Sequence, residues 1–280
     1  MNAQDINAAP VAWTCITCAT QFAPSTAPPA HCPVCEDDRQ YVAWDGQRWT
    51  THDALQRQYR LRIGNDDGLL AIAVDGSFAI PQRLLHLRTD AGNVLWESLG
   101  MVEDSAVRAL MQAGGVNRIV VSHPHFYSAM VEWSEALGGV EILLHEADRD
   151  WVRRPSRHIR YWKGDTLRLS DDVTLVNVAG HFPGSTALHW ATGPNGRGAL
   201  FPGDSPHVAQ DRRQVAFMHS VPNFTPMRPS AVRRMRDLLA PLQYDDVYGF
   251  SWGRNIIGNG RNLVEASFDR FLQRLELEPA

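Results

Sequence analysis

Three apolar segments of this chain end in the same way. Ile119-Val-Val-Ser runs into His123-Pro-His125, Val176-Asn-Val-Ala-Gly180 into His181, and Leu200-Phe-Pro-Gly203 into Asp204. Each is a strand-like run followed by a short loop that carries a metal-capable side chain. Strand ends are rigid supports, and a catalytic metal needs ligands held to fractions of an ångström. His-x-His places two imidazoles close together on one loop. Gly180 and Gly203 let the backbone turn tightly beside them. A lone histidine after a strand is usually an ordinary surface or core residue. The ordered set constrains the fold, because three strand ends must then converge on one point.

A second constraint lies near the start. The only cysteines form two pairs, Cys15-Ile-Thr-Cys18 and Cys32-Pro-Val-Cys35, with thirteen residues between them. Two such knuckles can present four thiolates to one tetrahedral ion, with zinc the default. A metal also offsets the small core of such a unit. Pro24, Pro28 and Pro29 make the connection a loop. Two disulfides or a redox dithiol are the alternatives. Nothing suggests an oxidising compartment, and a redox pair would not need the second knuckle. The knuckles resemble those of rubredoxin and zinc ribbons. Rubredoxin-type knuckles usually place glycine after the second cysteine, where Ala19 and Glu36 stand here. That departure counts against redox iron. Trp13, Tyr41, Trp44 and Trp49 are expected to pack around the knuckles or pin them to the body, in preference to stacking on a substrate.

These features divide the chain into a head, residues 1–50, and a body, residues 51–280. Composition is that of an ordinary soluble protein: 44% hydrophobic, 21% charged, formal net charge -4. The charge gives no reason to expect nucleic-acid binding. Met1 to Pro10 is polar and unlike a signal peptide, and no apolar run approaches the ~20 residues of a membrane span. The expectation is a cytoplasmic protein that acts on a small molecule, with neither nucleic acid nor membrane as partner.

In the body, Thr51 is placed to cap a short helix through Tyr59. Leu69–Val74 reads as a buried strand, and Arg83–Arg88 and Asn93–Trp96 as a hairpin about Asp90-Ala91-Gly92. Asp104 or Ser105 caps a helix that Gly114-Gly115 stops. Alternation follows: strand Val116–Val121, helix Ala129–Leu137, strand Val140–Leu144, then strands Val173–Val178 and Leu200–Phe201. Ser230 caps a further helix, Val247–Phe250 is a late strand, and Asn262–Leu277 a final amphipathic helix. Early hairpins with later alternation suggest a layered α/β or α+β body.

From about Leu69 to Leu277 the sequence resembles the metallo-β-lactamase superfamily. The resemblance implies an α+β fold, the four-layer αββα sandwich, here behind a small zinc-ribbon-like head. The family's first motif is His-x-His-x-Asp-His, and this chain reads His123-Pro-His125-Phe-Tyr127-Ser128. His181 and Asp204 match the next two ligands. The last family ligand is a histidine after the late strand, where Ser251-Trp252-Gly253 stands. In the family the two motif histidines and the next histidine hold the first metal. The motif aspartate, its following histidine and the last histidine hold the second. Every first-site position is kept and every position private to the second is replaced. The resemblance therefore implies one catalytic-type metal on His123, His125, His181 and Asp204, besides a structural zinc on Cys15, Cys18, Cys32 and Cys35. Zinc, or alternatively iron or manganese, suits the histidine site.

Such a site fits a mononuclear hydrolase of a small ester, thioester, lactone or related bond, using metal-activated water. Asp204 either completes the coordination shell or orients the water and takes its proton. Tyr127 either donates from its phenol to an oxyanion or leaving group, or fills the vacated second-metal space. A non-haem iron oxidoreductase and a catalytically silent metal-binding module are the rival readings. His207 and His219 are expected at the surface or behind the ligands, with lining the pocket the alternative for either, and His189 in packing. Arg153, Arg154, Arg157 and Arg160 read as a solvated, salt-bridged surface, with anion attraction the alternative. The long segment His207–Pro229 reads as a lid or a homodimer contact.

Overall fold

A computed structural model describes residues 9–276. The end of the last helix at Leu277 and most of the stretch Met1 to Pro10 lie outside the described residues.

Two sheets form the middle of the body. In the first, Arg60–Asp66, Leu69–Asp75, Arg83–Thr89 and Gly92–Trp96 make an antiparallel meander. Arg118–Val120, Glu141–His145 and Ile159–Trp162 continue it in parallel. In the second, Thr166–Arg168, Val173–Asn177, Thr186–Trp190 and Ala199–Phe201 are antiparallel neighbours. Asp246–Tyr248 joins in parallel and Asn255–Ile256 closes the edge.

Side chains alternate between faces along these strands, and the alternation sets the layers. Val94, Trp96, Val120 and Leu143 point into the core between the sheets, against Leu175, Leu188, Phe201 and Tyr248. Their neighbours Leu95, Ile119, Val121 and Ile142 point outward onto Leu110, Met130 and Trp133. These belong to or flank the helices Asp104–Gln112 and Met130–Ala136. On the second sheet Val176, Ala187, Leu200 and Val247 point outward onto Val232, Met235, Val264 and Phe268, from the helices Pro229–Leu239 and Gly260–Glu276. The order is helix, sheet, sheet, helix: the αββα sandwich that the family resemblance implies.

Helix starts differ from expectation by a residue or two. Thr51 caps His52–Gln58 as expected, its Oγ1 accepting from Ala54 N. The helix assigned to an Asp104 or Ser105 cap begins after Glu103, whose carboxylate accepts from Leu61 N and Ser105 Oγ. Tertiary contact with the first strand thus moves the boundary. The helix assigned to a Ser230 cap begins at Pro229, whose fixed φ suits a first turn.

The segment His207–Pro229 is not a bare loop. It folds as two small hairpins, His207–Val208 with Val215–Ala216 and Met218–Ser220 with Thr225–Pro226. Phe217 and Met227 are buried in the outer core, while Phe224 is exposed.

The head closes on itself through an antiparallel pair, Trp13–Cys15 with Trp49–Thr51. Phe22 meets Trp49 edge to face at 5.0 Å, but Trp44 and Tyr41 are exposed. The expectation that all four head aromatics pack is therefore corrected for these two: Trp44 stands on a turn and Tyr41 is half exposed. Polar contacts fasten the head to the body. Gln21 N and Ala23 N donate to Ser128 O and Arg153 O. Asn223 Nδ2 donates to Asp38 O and Gln40 O, each at 3.0 Å. No helix among the described residues is long and apolar enough to cross a membrane.

Candidate metal centres

The four cysteine sulfurs come together: their Sγ atoms all lie within 4.8 Å of one another, and all four residues are buried. Cys15 and Cys35 are 3.5 Å apart, Cys18 and Cys32 3.7 Å. A tetrahedral ion with metal–sulfur bonds of about 2.3 Å has edges of about 3.8 Å, so the spacing fits one ion and no disulfide. Bonds among the thiols pull Cys15 down, burial pushes Cys18 up, and the Cys15 contact pushes Cys35 up. Four buried thiolates cannot ionise together without a cation at their centre. Ala19 adopts φ 63° and its N–H donates to Cys15 O at 2.9 Å. It takes the left-handed turn that a glycine ordinarily supplies, so its identity departs from the knuckle pattern while its conformation does not.

The second group is built at the ends of three strands. Ser122 and His123 follow Arg118–Val120, and Pro124–Phe126 is a single 3-10 turn that carries His125. After Val173–Asn177, Ala179 and Gly180 take φ 49° and 83° in succession, which swings His181 back toward the first sheet. Gly203, φ 61°, does the same for Asp204 after Ala199–Phe201. A Cβ on Gly203 would stand 2.5 Å from Ser122 Oγ, so only glycine lets the two loops meet.

His123, His125, His181 and Asp204 are all buried, with one ligand atom from each lying within 4.8 Å of the others. His181 Nε2 and His125 Nδ1 are 3.1 Å apart. Asp204 straddles the group, Oδ1 3.4 Å from His123 Nε2 and Oδ2 3.8 Å from His181 Nε2. Metal–nitrogen bonds of about 2.0–2.1 Å give tetrahedral edges of about 3.3 Å, close to these values. His123 Nε2 and Asp204 Oδ1 have no hydrogen-bond partner despite burial, which is costly unless a cation occupies the space between them. Burial holds His123 and His125 well below the usual histidine range, with the neighbouring imidazole of His181 adding to the effect. Neutral imidazoles with free lone pairs are the state a metal takes up. On the far side of His123, Nδ1 meets Ser122 Oγ at 2.8 Å, the kind of bond that fixes a ligand's ring and tautomer.

Tyr127 is not where a catalytic phenol must be. It is 4% exposed, packs in the outer core of the first sheet, and does not line the cavity beside the metal group. Burial pushes its phenol well above its ordinary value. Its phenol is a core side chain in this fold, and the catalytic assignment is corrected accordingly. Ser128 bonds to Gln82 Nε2 at 2.9 Å, and the carbonyl of Ser251 takes Arg83 Nη1. Neither bond brings a base to the hydroxyl; Ser128 is buried, while Ser251 lines the cavity.

Comparison with known proteins fits this architecture. No protein-family model matches the chain. It is 36% identical over 269 residues to the uncharacterized protein YmaE of Bacillus subtilis (strain 168), a match that covers 95% of this chain and 97% of that protein. Among solved structures, the metallo-β-lactamase FIM-1 from Pseudomonas aeruginosa in its mono-zinc form superposes with TM-score 0.53 at 12% identity, over 78% of this chain and 97% of that one. The DIM-1 metallo-β-lactamase superposes with TM-score 0.52 at 12% identity, over 75% and 95%. The chain belongs to the YmaE family and has the metallo-β-lactamase fold.

Within this metallo-β-lactamase-fold body, several residues near the site gave little sequence signal. Glu97 also follows a strand, Gly92–Trp96, and so shares the design of the three ligand segments; that was the available clue. It is fully buried at φ 72°, and its Oε2 accepts from Ser122 N at 3.1 Å. Burial, reinforced by Asp204, pushes its carboxyl up to about 8. Arg39, from the head, donates to His181 O at 3.2 Å and lies 3.9 Å over the ring of Phe182. Phe182 in turn packs against His123 and His125.

A cavity of about 550 Å³ opens above His125, His181 and Asp204. Thr17, Gln40 and Tyr41 of the head form part of its wall, so Tyr41 faces the space where a substrate would enter. His207 lines it too, contrary to the expectation of a surface or background position. His219 pairs with Asp38 at 3.1 Å and His189 Nε2 donates to Gln243 O at 2.8 Å. Arg154 is salt-bridged to Glu132 and Glu135, the surface role expected for its cluster.

Proposed function

We propose that this chain is a metal-dependent hydrolase with one catalytic-type metal, acting on a small ester, thioester, lactone or related bond. The observation that carries the reading is the convergence of His123, His125, His181 and Asp204, three of which, His125, His181 and Asp204, line an open cavity; one ion is favoured because Tyr127, Ser128 and Ser251 occupy the sequence positions of a second ion's ligands. A zinc ion bound there supplies a Lewis acid and brings the pKa of its water to about 7. The protein supplies the rest. His123, His125 and His181 hold their lone pairs toward one point, and Phe182 shields their far side from solvent. Asp204 has two oxygens with different duties open to them. Oδ2 leans toward His181, and Oδ1, without a partner, can complete the ligand set or accept a proton. The fold is compatible with single-ion occupancy, since the FIM-1 structure is a mono-zinc form. In the head, Cys15, Cys18, Cys32 and Cys35 hold a structural zinc, and we take residues 1–50 as head and 51–280 as body.

Metal analysis of protein made without added metal tests this. About two zinc per chain, falling to one in His123→Ala/His181→Ala, is the expected result. One zinc that the double substitution leaves unchanged refutes the second centre. Iron with visible absorption redirects the reading to an oxidoreductase.

A further inference from the structure

We infer that the substrate carries a carboxylate remote from the bond that is cleaved, and that Arg254 receives it; this rests on the hydrolase reading above. Among the described residues lining the cavity, Arg254 alone bears a permanent positive charge. It is half-buried, and its guanidinium has no carboxylate or carbonyl partner among the described residues. The acids nearby are already committed. Asp66 pairs with Arg83 at 3.0 Å and accepts from Gly253 N, and Asp67 accepts from Asn255 Nδ2. A second arginine in the same corner, Arg83, is thus ion-paired with a buried carboxylate, while the one at the cavity wall has no such partner.

The support under Arg254 is rigid. Its N–H donates to Ser251 O at 3.1 Å and its carbonyl accepts from Gly249 N at 3.0 Å. A Cβ on Gly249 would stand 2.5 Å from that carbonyl, so the two segments are in close contact. The backbone that carries the guanidinium is therefore fixed, and only the side chain has to be ordered when a ligand binds. Its planar fork matches a carboxylate, bond for bond. One cation with no second beside it suits a monoanion better than a phosphate dianion.

The rest of the cavity agrees with a ligand that is charged at one end. His125, His181 and Asp204 mark the metal end. Ile80, Pro81 and Phe250 line the cavity as apolar wall for a short carbon chain. His207 lines the same cavity as Asp204 and Arg254. Its Nδ1 is buried without a partner and is available to a polar group of the ligand. The volume, about 550 Å³, suits a small molecule and not a polymer.

Two hydroxamates test the inference, since a hydroxamate anchors on an open metal whatever its tail. Succinic acid monohydroxamate carries the carboxylate; butyrohydroxamate, of the same length, does not. Binding to the zinc-loaded protein is measured by calorimetry for wild type, Arg254→Ala and Arg254→Lys, with thermal melts to confirm that each variant is folded. The acid-tailed probe is expected to bind roughly 10- to 100-fold more tightly to wild type. Arg254→Ala should erase that ratio and leave butyrohydroxamate unchanged; Arg254→Lys should keep part of it. A ratio near one in wild type, or a ratio that survives Arg254→Ala, overturns the inference while leaving the metal centre intact. A phosphonate-tailed probe that binds more tightly than the carboxylate overturns the choice of anion. If neither hydroxamate binds, the open metal is absent and both readings fall together.

Discussion

Arg39 joins the two metal centres, and its replacement by alanine is the most informative single perturbation. The residue lies a few positions beyond Cys35, yet its guanidinium donates to the carbonyl of His181 and covers the ring of Phe182. Three losses follow from Arg39→Ala. Its ion pair with Asp37, whose Oδ2 accepts from Arg39 Nη2 at 2.8 Å, is largely buried and contributes about 2 kcal/mol. The bond to His181 O is long for a charged donor, 3.2 Å, so its net worth is about 1 kcal/mol. The cation–π contact is largely shielded, with 14% of the Arg39 side chain exposed, and contributes about 1–2 kcal/mol. Together they amount to about 4–5 kcal/mol, measurable as a shift in the urea midpoint. Stability alone does not separate positioning from packing, so metal affinity is the deciding measurement. Freeing the carbonyl of a ligand residue loosens the loop that carries it, and partners of this kind are worth about 10- to 100-fold in metal affinity. Competition against a chromophoric chelator should therefore show two zinc sites in wild type, with only the histidine site weakened in Arg39→Ala. A variant destabilised as expected, but with histidine-site affinity unchanged, would refute the coupling and reduce Arg39 to a surface plug.

Two further outcomes are expected. Gly203→Ala places a side chain at φ 61° and 2.5 Å from Ser122 Oγ; it should destabilise the fold by about 2 kcal/mol and weaken zinc at the histidine site, as read by denaturation and chelator competition. Burial pushes Asp148 up to about 7, against the opposing pull of its bond from Gly184 N and of Arg39. A carboxyl raised on folding favours the native state below its unfolded value, near 3.8, and loses that contribution as pH rises through about 7. Asp148→Asn keeps an acceptor for Gly184 N and removes this loss, so its melting temperature should gain on wild type between pH 5 and pH 8. A pH-independent difference would show that the carboxyl titrates normally.

The sequence alone determined which residues can hold metal. Cysteine pairs and strand-end histidines are local patterns, and backbone geometry at a strand end or a knuckle follows from a few neighbouring residues. The layers were likewise readable, because Leu95/Trp96, Ile119/Val120 and Leu200/Phe201 each send one side chain to either face, a period of two that needs no tertiary information. Tyr127 could not be decided that way: a phenol two residues from a ligand can turn to the site or to the core, and only packing chose the core. The same holds for the residues that support the metal ligands. Glu97 meets Ser122 across 25 positions, Arg39 meets His181 across 142, and Gln40 joins His207 and Arg254 in one wall. Contacts at such separations are set by how sheets and head stack, and no local pattern encodes them. The metal ligands belong to the sequence, whereas the shape and charge of the space above them belong to the fold.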